Sequence, residues 1–581
     1  MPDHSVITAE AMASAALNDP QFHVPARPRL RRGLSLHHTS EALVVEGTPK
    51  KQLLRGAAAR ELLPRMLPLL DGSRGHEDVA AALGIPAGTV FKALSLLWTC
   101  GLIEEAASPA SASRAAGVPE ILADFLSRIG DSTGANHAWE EALDRLARAR
   151  VEVFGTGPLA VAARRHLADS LVETGTDAGA EIDAETGIDA ETGIDAGLGN
   201  DAGTGIDAGT GPARGTGPAR GTKPAPGTTL VVAAGLDPAA SEALAASCAQ
   251  AGVPLIRLAL TGRTAHLGPY VDLAFTPCLA CRTAEDPADD RPPLPGDAEL
   301  AAALFVRDLF ALLSRSTPSP LPSQWRTVDL ADLSQERRSA ATRPGCPHCS
   351  AAPGDPVAPP LAARYEAAIA FPPREYADGK AHQAHYKPSN IALQNDEKTW
   401  PVAAAVPLPA PPLESLRSPS PAVLDDRTAA LLLAVTAGRR ALLPGRVQRW
   451  TASGGNIGSV VAHLVVRDVP GLEPGVYGYV ASEHRLAALA VDPRAVPGEA
   501  PLTVVLTGDF TKVAKKYAAF ALRIVLLDAG CATATLRAAA TALDLPFAIR
   551  TRWDDLAVAA ALGIDPDLEP ITTLVDLGGA P

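Results

Sequence analysis

Positive charge is in deficit: 52 basic against 65 acidic side chains leave the chain at −13. A chain of that sign repels phosphate backbones, which argues against nucleic acid as a partner. Part of the acidic surplus lies in an Asp-rich low-complexity tract, so it says little about folded surfaces. Aromatic side chains are scarce at 4%, while Gly (49) and Pro (52) are abundant, as in long linkers of a high-GC coding sequence rather than a particular chemistry. No run reaches the roughly 18 apolar residues that span a bilayer, so no membrane partner is expected. The opening stretch, MPDHSVITAEAMASAALND, lacks a cationic start followed by an apolar segment. No secretory signal is therefore expected, and a cytoplasmic location is the default expectation. Cysteine is also rare, with seven in 581 residues. Cys100, Cys248 and Cys531 stand alone in apolar contexts and read as buried, inert thiols.

Hydrophobic content of 47% is ample for packed cores, and the length implies three or four domains. Residues 1–38 read as polar, irregular and disordered. Over 39–110 the order is a strand (ALVVEG), helical runs around ARELLPRMLPLL and GHEDVAAAL, a turn at Ile85-Pro86, a helix from Thr89 to Cys100, then Gly101 and a strand. That is the order of a winged helix. Its last helix carries Lys92 as its single base, so a peptide or protein partner fits better than DNA.

Residues 111–350 read as an α/β domain. VEVFGTGPLAVAARRHLADS is a strand, a glycine turn and a helix, with Gly155, Gly157 and Ala160 in dinucleotide-turn spacing. Many strand-to-helix turns use such glycines only for packing. Residues 173–227 are Asp-Ala-Glu-Thr-Gly and Gly-Pro-Ala-Arg repeats with no apolar face, hence a solvated insertion. A βαβ unit follows (TLVVAAG, Ser241–Ala251, VPLIRLAL), which implies a parallel sheet. Residues 351–412 read as a Pro/Ala-rich connector, and 413–581 as a compact α+β domain.

Two Cys-x-x-Cys pairs, Cys278/Cys281 and Cys346/Cys349, are separated by 64 residues. Four thiolates close a tetrahedral zinc shell with no open position, so a structural zinc is the expectation. A redox role for a single pair is the competing reading.

The stretch from LVVAAG to CLACRTA, with Gly268-Pro269 ahead of the first pair, resembles the ThiF-like (ocin-ThiF) proteins of thiazole/oxazole-modified peptide biosynthesis. The segment before it resembles the peptide-recognition element of those proteins, which holds a precursor's leader as an added strand. Adenylating relatives need an Asp, Arg and Lys set around ATP. No such set can be placed here because the repeats replace that part, so the resemblance implies a degenerate, non-catalytic recruiter.

RWTASGGNIGSVVAHLVVRDVPGLEPGVYGYVASEHRLAAL, followed by AKKYAAFALRIVLLDAG, resembles the SagB-type, nitroreductase-family dehydrogenases that oxidise azolines to azoles. The resemblance covers about Leu413–Leu577. It implies FMN, a homodimer with the flavin at its interface, and a substrate peptide cyclised by a separate cyclodehydratase. Ser453, Gly454 and Gly455 would meet the flavin through a turn nearly free of side chains. Lys516 and Tyr517 would supply the base while the flavin takes the hydride. On composition alone the turn is a plain β-turn, and Lys512, Lys515 and Lys516 are a solvated helix start. The family's Arg-rich phosphate clamp is reduced to Arg417-Ser418, with Arg446, Arg449, Arg550 and Arg552 as possible compensation. His382, His385 and Tyr386 resemble its entry segment. Two other functions remain open: a non-catalytic scaffold docking the precursor to a cyclodehydratase, and a flavin reductase of small molecules.

Overall fold

The computed structural model describes residues 7–19, 22–48, 50–130, 133–175, 223–378, 388–417, 420–443 and 446–579. The chain divides into two compact units, residues 20–381 and residues 1–19 with 382–581. Both combine helices with sheets.

In the first unit, strand Pro28–Leu30 pairs antiparallel with Ile103–Glu105. Three further strands, Ser35–His38, Ala42–Glu46 and Gln52–Arg55, form a small antiparallel sheet. Helices Ala57–Glu61, Leu63–Met66, His76–Leu83 and Ala87–Thr99 follow in the expected order. Helix His76–Leu83 starts where the Asp78 carboxylate accepts the Gly75 N–H at 3.1 Å. The two outer strands of the small sheet have no further strand partner among the described residues.

The larger sheet of this unit runs in the order Gln335–Arg338, Trp325–Asp329, Thr264–Val271, Leu255–Thr261, Leu230–Ala234, Arg150–Phe154, Glu173–Gly175. Its last four strands are parallel, as the βαβ reading requires, and its first four pair antiparallel. Helices Pro158–Asp169 and Asp297–Ser314 bury Leu167 and Phe305 against Val151, Val232, Ile256 and Trp325. The Gly155 turn is a packing device: at φ +129°, a Cβ there would stand 2.1 Å from the Ala234 carbonyl oxygen. Arg164 donates to the Val153 and Gly155 carbonyls at 2.6 and 2.9 Å, further filling that turn.

The second unit holds a fully antiparallel sheet in the order Ala404–Pro407, Arg485–Ala488, Gly475–Val480, Val460–Val466, Leu502–Gly508, Ile571–Leu577, Phe547–Ile549. Both faces are covered. Leu464, Val466 and Val504 pack under helices Asp426–Ala437 and Ala521–Ala542, while Val465 and Val505 pack with helix Asp555–Leu562. That is why VVAHLVV and LTVVLTG read as continuous apolar runs instead of alternating ones.

Four expectations change. Residues 9–18 form a helix capped by the Thr8 hydroxyl, and 28–30 and 35–38 are strands, so much of 1–38 is ordered. Each piece is too short for its periodicity to be visible. Strand Ala404–Pro407 lies in the stretch read as connector; as an edge strand with mostly exposed side chains, it carries no burial pattern. Cys531 is exposed, because Ala521–Ala542 presents alanine on both its buried and its open side. Phe510–Ala542 together has the length and composition of a membrane span, at a mean hydropathy of 1.6. In the structure its apolar residues Ala532, Leu536 and Ala540 enter the core of the second unit.

Candidate functional site

Ser453 sits in extended backbone, and the chain then makes one 3-10 turn through Gly454, Gly455 and Asn456. The turn is shaped by a carboxylate. Asp528, buried on the long helix Ala521–Ala542, accepts from the Ser453 hydroxyl (2.9 Å), the Gly454 N–H (2.7 Å) and the Ser459 hydroxyl (2.6 Å). The Ser453 oxygen also accepts the Gly458 N–H at 2.7 Å, closing the loop on itself.

Lys516 and Tyr517 end the helix Phe510–Tyr517, which begins where the Asp509 carboxylate accepts the Lys512 N–H at 3.0 Å. Ala518, at φ +46° and ψ −128°, breaks the helix immediately afterwards, and the chain turns into the long helix. The Lys516 and Tyr517 side chains come to rest over Gly455. A Cβ on that glycine would stand 2.3 Å from the Lys516 Nζ and 2.8 Å from the Tyr517 hydroxyl. The Lys516 ammonium lies 5.1 Å from the Tyr517 ring centre. Burial holds the Lys516 amine below its ordinary range and pushes the Tyr517 phenol above its own. The pair therefore couples an amine that more readily stands in its neutral, proton-accepting form to a phenol that keeps its proton.

The three lysines of this helix are not one solvated face. Lys515 is exposed and lies 3.6 Å from the Asp396 carboxylate. Lys512 is 3% exposed, and its ammonium donates to the Asp396 and Gly458 carbonyls at 2.6 and 3.0 Å. Burial pushes its amine down to about 8. Arg449 lies across Gly458 and donates to the Gln394 and Ile457 carbonyls, at 2.8 and 3.2 Å. Its Nε is buried without a partner. One cavity is lined by Arg449, Ser453, Gly458 and Ser459; a second shares Arg449 and Gly458 and adds Lys398, Tyr479, Asp509 and Lys512.

The fold thus brings Ser453, Gly454, Gly455, Lys516 and Tyr517 together, with Arg449 beside them. Arg417 is exposed and ion-pairs with Glu414 at 3.1 Å, outside both cavities. Arg550 is held by Asp576 at 2.7 Å, and Arg552 is exposed. Ser418, His382, His385, Tyr386 and the Arg446 side chain lie outside the described residues. Sequence reasoning missed Asp528 and Lys512 as members of the site. A single carboxylate inside ALRIVLLDAGCATA was the available signal for Asp528, since a lone buried acid needs donors.

In the first unit Cys278, Cys281, Cys346 and Cys349 converge, with all four sulfurs within 4.8 Å of one another. Sγ···Sγ separations are 3.6 Å for Cys278–Cys346, 3.7 Å for Cys281–Cys349 and 3.5 Å for Cys278–Cys349. Tetrahedral zinc at about 2.3 Å from each sulfur sets the edges near 3.8 Å, whereas a disulfide would need about 2.05 Å. The cluster is able to hold a metal ion. The knuckle is anchored by Arg282, whose guanidinium stacks 4.7 Å from the Trp325 ring centre and donates to the Pro322 and Ser323 carbonyls.

No family model matches the chain, and no curated protein matches it. Solved structures do. The heterocyclase TruD is 14% identical over 56% of this chain and 43% of its own, with a TM-score of 0.38. MccB of E. coli, solved with ATP, is 12% identical over 56% of this chain and 99% of its own, with a TM-score of 0.38. A putative nitroreductase from Ralstonia eutropha is 18% identical over 32% of this chain and 96% of its own, with a TM-score of 0.26. The structural neighbours therefore include both ThiF-like heterocyclase-type and nitroreductase-family proteins, and the chain spans less than half the length of the heterocyclase.

Proposed function

We propose that the chain is a cytoplasmic, FMN-dependent dehydrogenase that oxidises azoline rings to azoles in a ribosomally made peptide recruited by its own first unit. The observation that carries this reading is the placement of Lys516 and Tyr517 over Gly455. Two segments named by the resemblance, the Gly455 turn and Lys516-Tyr517, lie 61 residues apart in sequence (516 − 455) and converge. When bound, FMN accepts the hydride that leaves the ring. Ser453, Gly454, Gly455 and Arg449 would hold it, with Arg417 and Ser418 as the family's phosphate position. Because Asp528 already takes the Gly454 N–H, that glycine offers the flavin no donor, and its missing Cβ makes room for the Ile524 side chain. Lys516 would remove the ring-carbon proton, its amine poised by burial; Tyr517 would donate a hydrogen bond to the substrate and orient it.

In the same proposal, residues 39–110 are a winged-helix element that takes the leader as an added strand on the small three-stranded sheet, and 111–350 are a degenerate ThiF-like domain stapled by zinc. Fusion raises the local concentration of substrate at the oxidising site, so modest leader affinity suffices. The cyclodehydratase that makes the azolines is a separate partner. A homodimer is expected, and the open Leu526 and Leu527 of the long helix, 52% and 58% exposed, are suited to that contact.

One observation favours a second reading, in which the chain only docks the precursor. The Asp528 carboxylate fills the place an anionic group would take on the turn. Absorption spectra of the purified chain between about 350 and 500 nm, with and without added FMN, separate the two. A stoichiometric flavin band supports the dehydrogenase; a chain that stays colourless in excess FMN leaves the scaffold.

A further inference from the structure

Among the described residues of the second unit, the half-buried Arg449 and the buried Lys512 line one cavity with no carboxylate within ion-pair distance of either. Their hydrogen bonds go to backbone carbonyls only, of Gln394 and Ile457 for the first and of Asp396 and Gly458 for the second. The acids around them are committed elsewhere. Glu397 pairs with Arg439 at 2.8 Å, Glu569 with Lys398 at 2.6 Å, and Asp396 with Lys515 at 3.6 Å. Asp528 is consumed by the Ser453–Ser459 loop, and Asp509 caps the helix that carries Lys512. That cavity is also lined by Val460, Tyr479 and three charged groups already engaged elsewhere: Lys398, Glu397 and the helix-capping Asp509. The unpartnered Nε of Arg449 is buried there, and the Lys512 amine, with two bonds made, has a third proton to donate.

Like charges held side by side are costly: burial first, and the Arg449 charge with it, depress the Lys512 amine against the opposing pull of Asp509, Asp396 and Glu397. A tetrahedral oxyanion would satisfy both, since guanidinium and ammonium groups are the usual donors to phosphate. We infer that Arg449 and Lys512 form an oxyanion pocket of the class that takes a phosphomonoester, adjoining the Ser453–Gly458 loop. This rests on the flavin reading for its source, the phosphate of FMN. It would give the chain a phosphate site in place of the reduced clamp at Arg417, which is solvent-exposed and paired with Glu414. Free phosphate offers the same chemistry.

Calorimetric titration of the full chain with FMN, riboflavin and inorganic phosphate tests it. The same titrations are run on Arg449→Met, Lys512→Met, the charge-retaining Arg449→Lys, and Arg494→Met as an exposed control. FMN is expected to bind at least roughly tenfold tighter than riboflavin, the difference a buried charged phosphate contact supplies. Each Met variant should erase that difference, Arg449→Lys should keep part of it, and Arg494→Met all of it. Equal binding of FMN and riboflavin, or a ratio untouched in both Met variants, overturns the pocket and leaves the flavin reading intact. Phosphate binding that is lost in the Met variants, with no flavin binding at all, supports the pocket and removes the flavin reading. A chain that binds none of the three overturns the pocket, and Arg449→Lys, the least disruptive change, guards against misreading an unfolded variant.

Discussion

Gly455→Ala is the substitution that most sharply separates site geometry from fold stability. Gly455 has φ +60°, where an L-residue pays about 1–2 kcal/mol. The added Cβ would meet the Lys516 Nζ at 2.3 Å and the Tyr517 hydroxyl at 2.8 Å. Both are far ends of flexible side chains, so they move and the backbone does not. The stability loss therefore stays near the backbone cost, about 2–8 °C in the melting of a unit of this size. The functional loss is larger, because the base is pushed off the turn where substrate would lie. Positioned proton transfer contributes about 10²–10⁴-fold, so azoline turnover should fall by about 10² or more. Thermal melting paired with kcat on an azoline peptide reads both quantities. Gly530→Ala is the control: nothing lies within 4 Å of its Cβ position on the same long helix, and it should stabilise by up to about 1 kcal/mol. Turnover within a few-fold of the parent in Gly455→Ala, with Lys516→Ala inactive, would refute the claim that this turn seats the pair.

Other outcomes follow from the same contacts. Asp528→Ala strips one acceptor from one buried and two half-buried donors, so the second unit should lose about 2 kcal/mol or more in denaturant titration, and Asp528→Asn less. Elemental analysis should find zinc at about one ion per chain, lost in Cys278→Ser and Cys349→Ser with a lowered melting point of the first unit. His463 is fully buried, and burial pushes it from 6.5 down to about 3. The unfolded chain thus takes up that proton first, so its stability contribution is intact above pH 6.5 and falls towards pH 3, by up to about 1.4 kcal/mol per pH unit. His463→Leu should flatten that acid limb in equilibrium unfolding. A limb identical to the parent's would show the histidine is not its source.

Much of the fold was legible because its signals are local. Ile85-Pro86 and Gly101 bracket a helix, and TLVVAAG through VPLIRLAL spells a βαβ unit. The two Cys-x-x-Cys pairs announce a cluster whose long loop says nothing against closure. What the sequence hid depends on partners far along the chain. Ala404–Pro407 becomes a strand only because Arg485–Ala488 offers it an edge. Asp528 belongs to the site through a turn 75 residues away, and Lys512 through carbonyls of Asp396 and Gly458 that no spacing rule connects to it. Lys516, Tyr517 and the Ser453–Gly455 turn were named by resemblance, and their convergence is a property of the tertiary fold alone.

The most direct measurement is an anaerobic single turnover of the full chain, loaded with FMN, on a leader-bearing azoline peptide. The account requires loss of the flavin band near 450 nm together with a peptide mass lower by about 2 Da per ring. Both changes should be absent in Lys516→Ala. A flavin that stays oxidised while the leader peptide is bound would contradict the assignment and leave a docking protein in its place.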